Sequence, residues 1–265
     1  MALTSPIINV MSGAARKAAR GLLRDFGEVE QLQVSRKEPA DFVSKADRRA
    51  EATLRAELAK ARPGFSMLLE EDGEVAGAEP DQRWIVDPLD GTTNFLHGVP
   101  HFAISIAHES HGDVVAGVIY DPLRDEIFWA ERGVGAFVNN RRLRVSARND
   151  LDTALLATDI SFGARPGKDT FLKALGPVME KTAGVRRFGS AALDLAYVAA
   201  GRYDAYWETE LTPWDVAAGI LLVREAGGFV TELDGGRDPL NGGSILATND
   251  PLHRSVGDML RSAIA

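Results

Sequence analysis

The sequence feature that most restricts the possible folds is a change of hydrophobic pattern at Arg148-Asn149-Asp150. Before it, residues 84–145 consist of short runs rich in β-forming residues, separated by polar turns such as HGD, DPLRDE and NNRR. After it, strand-like and helix-like segments alternate, beginning with LLATDI and KDTFLKALGPVMEKTAG. An antiparallel meander followed by β/α units predicts a layered α+β protein in two halves, residues 1–148 and 149–265.

Two helices are predicted ahead of the meander. Five apolar residues recur at helical spacing near the start of the chain: Met11, Ala14, Ala18, Leu22 and Phe26. This spacing predicts an amphipathic helix over roughly residues 5–26. We expect an extended segment over 27–37, a second helix over 40–62 and a buried strand over 67–69.

The second half is predicted to alternate throughout. LLATDI, VRRFG, DAYWE, FVTEL and SILATN are expected strands, with helices between the first four of them. FVTEL and SILATN are expected to close the fold.

Composition excludes several kinds of site. The chain has 265 residues and no cysteine, which rules out disulfides, zinc–thiolate centres and thiol nucleophiles. Its 38 acidic and 30 basic residues provide no general attraction to nucleic acid. The N-terminal region lacks the charge order of a signal peptide, and no run approaches the ~18 apolar residues of a membrane-spanning helix. We therefore expect a soluble, cytoplasmic protein with no membrane contact.

The run WIVDPLDGTTNF places two aspartates at the exit of an apolar strand. Pro88 stiffens the segment between Asp87 and Asp90, and two carboxylates held close repel each other unless a cation lies between them. Oxygen ligands without cysteine favour Mg²⁺ or a similar ion. If a helix begins after Gly91, its first amides could also bind a phosphate. The alternative is an ordinary turn followed by a helix cap.

Other acidic residues have both a structural and a functional interpretation. The triplet Glu70-Glu71-Asp72 could be a solvated turn. Asp215 stands at the capping-box position after Thr212, although the helix that follows it is almost wholly apolar. Asp47 has the capping-box spacing from Ser44.

Together these motifs resemble the inositol monophosphatase family, most closely its bacterial SuhB-type members. The likeness covers nearly the whole chain, from ADFVSKAD through WIVDPLDGTTNF and FGSAALDLAYVAAG to Trp214-Asp215. It implies a layered α/β/α/β/α sandwich of the inositol monophosphatase/fructose-1,6-bisphosphatase type, with an antiparallel N-terminal sheet and a mixed C-terminal sheet. It also implies a lithium-sensitive, Mg²⁺-dependent phosphomonoesterase that hydrolyses myo-inositol 1-phosphate.

The resemblance implies a metal site of two to three Mg²⁺ ions. One ion is expected on Glu70, Asp87 and the backbone carbonyl of Leu89. A second ion is expected on Asp87, Asp90 and Asp215. A third, weaker ion is associated with Glu70 and water. Two such cations ~4 Å apart could stabilise both the attacking and the leaving oxygen of an in-line displacement.

The resemblance also implies the residues around the metal. Thr92 and Asp47 are expected to orient the attacking water, and the amides of Gly91 and Thr92 to hold phosphate oxygens. Gly189-Ser190-Ala191, Glu208 and Asp215 are expected to meet the inositol hydroxyls. The structural alternatives are a helix N-cap for Ser190 and a solvated strand-end charge for Glu208.

Leu69 departs from the family pattern, which usually has glycine before the acidic pair. A side chain at this position is expected to shift the Glu70 backbone or to crowd the loop of the third metal.

Alternative functions follow from the same resemblance. Relatives hydrolyse fructose 1,6-bisphosphate, 3′-phosphoadenosine 5′-phosphate or histidinol phosphate. SuhB-type proteins are also linked to RNA polymerase and antitermination complexes, for which Arg141, Arg142, Arg144 and Arg148, or Arg186-Arg187, could form a basic patch. Solubilising surface charge is the other interpretation of these arginines. The family commonly forms homodimers.

Overall fold

The computed structural model describes residues 4–32, 39–160 and 167–264, with side chains described outside residues 29–44. Its helices are α1 Pro6–Leu32, α2 Pro39–Ala61, α3 Thr92–Leu96, α4 Lys168–Lys181, α5 Ala191–Ala199, α6 Pro213–Glu225 and α7 Asp250–Ile264. The strands of the first half are β1 Phe65–Leu69, β2 Gly73–Val75, β3 Glu79–Asp90, β4 Ala103–Ser110, β5 Asp113–Asp121, β6 Glu126–Glu131, β7 Gly135–Val138 and β8 Arg141–Arg142. Those of the second half are β9 Leu155–Thr158, β10 Gly184–Arg186, β11 Ala205–Thr209, β12 Phe229–Thr231 and β13 Ser244–Thr248.

The first sheet has the strand order β2-β1-β3-β4-β5-β6-β7-β8. Its neighbouring strands are antiparallel except for β1 and β3, which run parallel. The sheet is therefore mixed, and the prediction of a purely antiparallel N-terminal sheet is wrong at this one pair. β1 cannot reach β3 by a hairpin in parallel orientation, and β2 lies in the connection between them.

The second sheet has the order β10-β9-β11-β13-β12. β9 lies parallel to both of its neighbours, while β13 lies antiparallel to β11 and β12. This confirms the predicted mixed C-terminal sheet. The first sheet is formed by residues before position 148 and the second sheet by residues after it.

Helices and sheets alternate in five layers, which confirms the predicted sandwich. α1 and α2 cover one face of the first sheet, α5 and α6 lie between the sheets, and α4 and α7 cover the outer face of the second sheet. Every residue of α5 is buried. A helix that is buried all round needs an almost wholly apolar sequence, which is the composition of its run AALDLAYVA.

The ends of the chain differ most from expectation. α1 continues to Leu32, so the predicted extended segment is wrong over residues 27–32, and residues 33–38 lie outside the described residues. α7 was not predicted at all. Its buried Leu252, Val256, Met259 and Leu260 follow helical spacing, so the signal was present in the sequence. Among the described residues, no helix is long and apolar enough to cross a membrane.

Candidate active site

Asp87 and Asp90 lie at the C-terminal end of β3, and a β-bulge between them brings both carboxylates to one face of the sheet. Asp87 pairs with Ser105 and Asp90 with Ala103, so three steps along β3 match two steps along β4. Because residues two apart on β4 share a face, the extra residue turns Asp90 to the side that carries Asp87. Pro88 lies within this bulge, where its missing N–H is tolerated.

Residues of the second half hold Asp90 from across the site. The Ser190 hydroxyl donates to Asp90 Oδ2 at 2.5 Å, and the N–H of Ala192 donates to the same oxygen at 2.8 Å. Ser190 is also the N-cap of α5, since its oxygen accepts from the N–H of Leu193 at 3.4 Å. Ser190 is therefore a helix N-cap, as the structural alternative predicted, and its hydroxyl also contacts the cluster of acids.

Asp215 caps α6 as predicted. Its Oδ2 accepts from the N–H and from the hydroxyl of Thr212, both at 2.7 Å, and Pro213 occupies the first helical turn. The charge of Asp215 also raises the pKa values of Glu70 and Asp87. The carboxylate that caps the helix therefore lies close to the other acids.

Glu70 enters the pocket from the turn 70–72 between β1 and β2. Glu70 is an exposed residue, and its carboxyl group contacts that of Asp87. Glu71 next to it forms an ion pair with Arg48 at 3.4 Å. The triplet is therefore an exposed turn whose first residue contacts the cluster of acids.

The four acids Glu70, Asp87, Asp90 and Asp215 destabilise one another's charged forms. Partial burial, with the charge of Asp215, raises the pKa of Glu70 to about 7. Burial also raises the pKa of Asp90 to about 7, against the opposing hydrogen bond from Ser190. For Asp87, burial and then the charge of Glu70 raise the pKa well above its ordinary value. A divalent cation would relieve this repulsion.

Asp47 borders this pocket from α2. Because α2 already begins at Pro39, Asp47 lies inside the helix, and the predicted capping box with Ser44 is wrong. Burial raises the pKa of Asp47 to about 8, with the charge of Glu70 adding to the effect. Its Oδ1 is buried and has no hydrogen-bond partner. A buried carboxylate oxygen without a donor is suited to a cation or to a bound water.

Thr92 and Gly91 lie at the start of α3. The hydroxyl of Thr92 donates to the carbonyl of Leu89 at 3.0 Å instead of reaching Asp47, so their joint role stays a prediction. Gly91 has a φ of 100°, and a Cβ there would lie 3.0 Å from the carbonyl oxygen of His101. Both constraints require glycine at this turn.

These oxygen ligands fit a hard divalent cation, although the side chains do not lie in the geometry of a metal site. Within the described ranges, no three His, Cys, Asp or Glu side chains meet with the geometry of a metal site. Oxygens of Asp90 and Asp215 are held by N–H donors instead. Carboxylate oxygens are nevertheless the ligands that Mg²⁺ prefers, and the unpartnered Oδ1 of Asp47 can accept from a metal-bound water.

Leu69 is a residue of the protein core. Its side chain is fully buried in the core that the first sheet forms with α1 and α2. The expected effect of this departure on the loop of a third metal stays a prediction.

Glu208 is not the solvated charge of the structural interpretation. The hydroxyl of Tyr206 donates to Glu208 Oε2, and burial, followed by the charge of Asp159, raises the pKa of Glu208 well above its ordinary value. Asp159 forms an ion pair with Arg187 at 2.6 Å. The predicted alcohol side of the site is therefore a largely buried polar region.

Asp194 is a residue that sequence reasoning missed. It is 0% exposed, and neither of its carboxylate oxygens has a hydrogen-bond partner. Burial and the neighbouring charges of Glu208 and Asp90 raise its pKa well above the ordinary range. A single aspartate in the otherwise apolar run AALDLAYVA was the available signal.

Asn94 was also missed, although it belongs to the run WIVDPLDGTTNF. Its Nδ2 donates to the carbonyls of His101 at 2.8 Å, Phe188 at 2.6 Å and Gly189 at 3.3 Å. Asn94 therefore ties α3 to the segment that precedes α5. The predicted phosphate side and alcohol side of the site are held together by this contact.

The whole chain is similar to proteins of one family. Residues 3–264 match the model of the inositol monophosphatase family. An inositol-1-monophosphatase of Mesorhizobium japonicum is 57% identical over 252 residues, which are 95% of this chain and 95% of that protein. The Nus factor SuhB of Pseudomonas aeruginosa is 47% identical over 95% of this chain and 94% of its own length.

A solved structure shows the same similarity in three dimensions. The native extragenic suppressor protein suhB from Bartonella henselae superposes with a TM-score of 0.90 at 56% sequence identity. The match covers 97% of this chain and 99% of that one. From the family match over nearly its full length and from relatives above half identity, the chain belongs to the inositol monophosphatase family and is a phosphatase.

Proposed function

We propose that this phosphatase hydrolyses myo-inositol 1-phosphate to inositol and phosphate, that it requires Mg²⁺ and that Li⁺ inhibits it. The observation that carries the proposal is the proximity of four carboxyl groups: burial and mutual charge raise the pKa values of Glu70, Asp87 and Asp90, and the charge of Asp215 contributes to all three. A phosphate monoester is doubly negative, so these carboxylates would repel it unless cations neutralise them.

The metal ligands would follow the predicted assignment. Glu70, Asp87 and the Leu89 carbonyl would hold one ion, and Asp87, Asp90 and Asp215 a second, with a third, weaker ion on Glu70. When bound, Mg²⁺ supplies charge neutralisation of the phosphate and acidification of the attacking water. The bulge in β3 supports the shared role of Asp87, because it places Asp87 and Asp90 on one face.

Asp47 and Thr92 would orient the attacking water. The buried Oδ1 of Asp47 has no partner and can accept a hydrogen bond from that water. The amides of Gly91 and Thr92 would hold phosphate oxygens, which the left-handed conformation of Gly91 allows by exposing the backbone.

The leaving alcohol would meet Gly189, Ser190, Ala191, Glu208 and Asp215. Glu208 supports a polyol, because burial favours its neutral form, which can both donate to and accept from a hydroxyl. An alkyl leaving group would offer this acid no hydrogen bond beyond the one from Tyr206.

A phosphate-release assay tests this proposal directly. We expect the highest kcat/KM for myo-inositol 1-phosphate among four substrates, the others being fructose 1,6-bisphosphate, 3′-phosphoadenosine 5′-phosphate and histidinol phosphate. Chelation of divalent ions should abolish turnover, and Li⁺ should reduce it. Turnover that persists in a chelator contradicts the metal requirement, and a preference of about tenfold for another ester contradicts the substrate.

A second candidate function is binding to an RNA polymerase antitermination complex, which the name of the Nus factor SuhB relative favours. Arg141, Arg142 and Arg144 are exposed on the surface. Arg148 and Arg187 instead pair with acidic residues of this chain, at 3.4 and 2.6 Å. A partner surface would therefore use the arginines of residues 141–144 first.

A pull-down with purified RNA polymerase tests the second candidate. Binding by both the wild type and Asp90→Asn would show that the role does not need catalysis. If the wild type fails to bind, the partner role is contradicted while the phosphatase proposal is untouched.

We also propose a cytoplasmic homodimer. The exposed apolar residues Val99 and Phe188 both hydrogen-bond to Asn94 through their backbones and offer a surface for a second copy. Light scattering at micromolar concentration should give twice the monomer mass, and fractionation should recover the protein with the cytosol.

A further inference from the structure

Glu51 lies one helical turn after Asp47 on α2, on the same buried face. It is 2% exposed. Its Oε2 accepts from the N–H of Glu71 and its Oε1 from the N–H of Asp72, both at 2.9 Å. Both oxygens of one carboxylate therefore hold two consecutive amides of the turn that begins at Glu70.

A carboxylate is costly at this position. Burial raises the pKa of Glu51, and the nearby charges of Asp72 and Glu71 act in the same direction. An apolar side chain of similar size would fill the same space without burying a charge beside other acids. The two hydrogen bonds from the turn lower the pKa of Glu51 and so offset part of the cost of burying its charge.

The turn needs such support because of its own sequence. Three consecutive acids, residues 70–72, link β1 to β2, and Leu69 pairs directly with Gly73 across it. Arg48 and Arg55 pair with Glu71 and Asp72 at 3.4 and 2.8 Å and offset part of this charge. The amides of residues 71 and 72 are held by Glu51, and without that anchor the turn would move toward solvent more easily. Opening would carry the Glu70 carboxyl away from Asp87, which it contacts in the closed turn.

We propose that Glu51 is a positioning residue, which fixes the turn 70–72 and thereby places Glu70 for a divalent cation. Both of its oxygens accept from backbone amides of the turn, so the geometry supports a positioning role for Glu51. This inference rests on the proposed function, since it concerns the cation assigned there to Glu70 and Asp87.

The test is a Mg²⁺ titration of Glu51→Gln, followed both by activity and by the rise of the thermal midpoint. Glutamine keeps one acceptor but turns an NH₂ group toward the second amide. We expect the half-saturating Mg²⁺ concentration to increase about 10–100-fold in both readouts, as for loss of a residue that orients a metal ligand. The KM for the phosphomonoester at saturating Mg²⁺ should change less than about threefold.

Glu57→Gln is the matched control. Glu57 is on the same helix, is more exposed and bonds to Lys17 at 2.6 Å, away from the turn. If Glu51→Gln titrates like the wild type and this control, the proposal is overturned. If it does not fold, Glu51→Asp, which withdraws the carboxylate by one methylene, takes its place, and failure of both to fold also overturns the proposal. A wild type without any response to Mg²⁺ would instead contradict the proposed function.

Discussion

At the metal end of the site, formed by Glu70, Asp87, Asp90 and Asp215, backbone N–H groups reach the carboxylates. The N–H of Leu89 donates to Asp87 at 2.8 Å, and N–H groups of the second half donate to Asp90 and Asp215 at 2.8 and 2.7 Å. At the alcohol end, formed by Asp194, Tyr206 and Glu208, the donor to Glu208 is a hydroxyl and Asp194 has no partner.

The hydrogen-bond donors therefore distinguish two kinds of carboxyl group in the site. N–H donors stabilise the charged form of a carboxyl group, whereas burial without donors stabilises the neutral form. At the metal end, burial and mutual repulsion outweigh these donors and raise the pKa values of Glu70, Asp87 and Asp90, so its carboxyl groups are suited to become anions when cations compensate them. The alcohol end is suited to neutral acids that exchange hydrogen bonds with hydroxyl groups.

The largest effect is expected at the metal end. Asp90→Asn and Asp215→Asn keep the shape of the side chain but remove the charge, so kcat/KM at saturating Mg²⁺ should fall more than about 100-fold in each. Asp152→Asn, at an exposed site in the second half, is the control and should match the wild type. Unchanged turnover in either metal-end variant would rule out the two-metal assignment. Thermal unfolding separates any loss of the α6 cap in Asp215→Asn from the loss of catalysis.

Replacing a carboxyl group by an amide at the alcohol end should have little effect on KM. Glu208→Gln preserves a donor and an acceptor, so the KM for myo-inositol 1-phosphate should stay within about threefold of the wild type. Glu208→Leu removes both and should raise that KM about tenfold, the equivalent of one hydrogen bond. Equal losses in the two variants would mean that Glu208 acts as a charge, and the distinction between the two ends would fail.

At Asp194, the expected effect concerns the stability of the fold and not turnover. Its raised pKa means that the folded state binds more protons than the unfolded state above about pH 4, so this residue lowers the free energy of unfolding as pH rises. Asp194→Asn lacks that proton linkage. Between pH 5 and 8 in a chelator, its stability relative to the wild type should increase, by at most about 1.4 kcal/mol per pH unit. Denaturant unfolding measures this, and parallel curves for the two proteins would contradict it.

Sequence patterns identified most of the elements and most of the acids that meet in the site. The aspartates of WIVDPLDGTTNF, the capping box at Asp215 and the turn at Glu70 lie near one another, while their roles in metal binding stay a prediction. α7 was missed because FVTEL and SILATN were taken as the end of the fold, although its apolar spacing was visible. Asp47 was given a cap role from its spacing to Ser44, although the helix predicted over 40–62 already contained both residues.

The sequence by itself determined what depends on neighbours along the chain. Pro88 and Gly91 mark the turn chemistry, Thr212 and Asp215 form a local cap, and the apolar run of α5 predicts a buried helix. Hydrogen bonds and backbone conformations of this kind span only a few residues, so residue order is enough to predict them.

Only the tertiary structure decided which distant groups meet and which carboxyl groups hold a proton. Ser190 reaches Asp90 across 100 residues, and Glu51 reaches the turn at Glu71 across 20. The pKa of Asp194 depends on the layers that bury it and on the charges packed beside it. Burial and close approach are properties of the packed layers, and no spacing in the sequence encodes them.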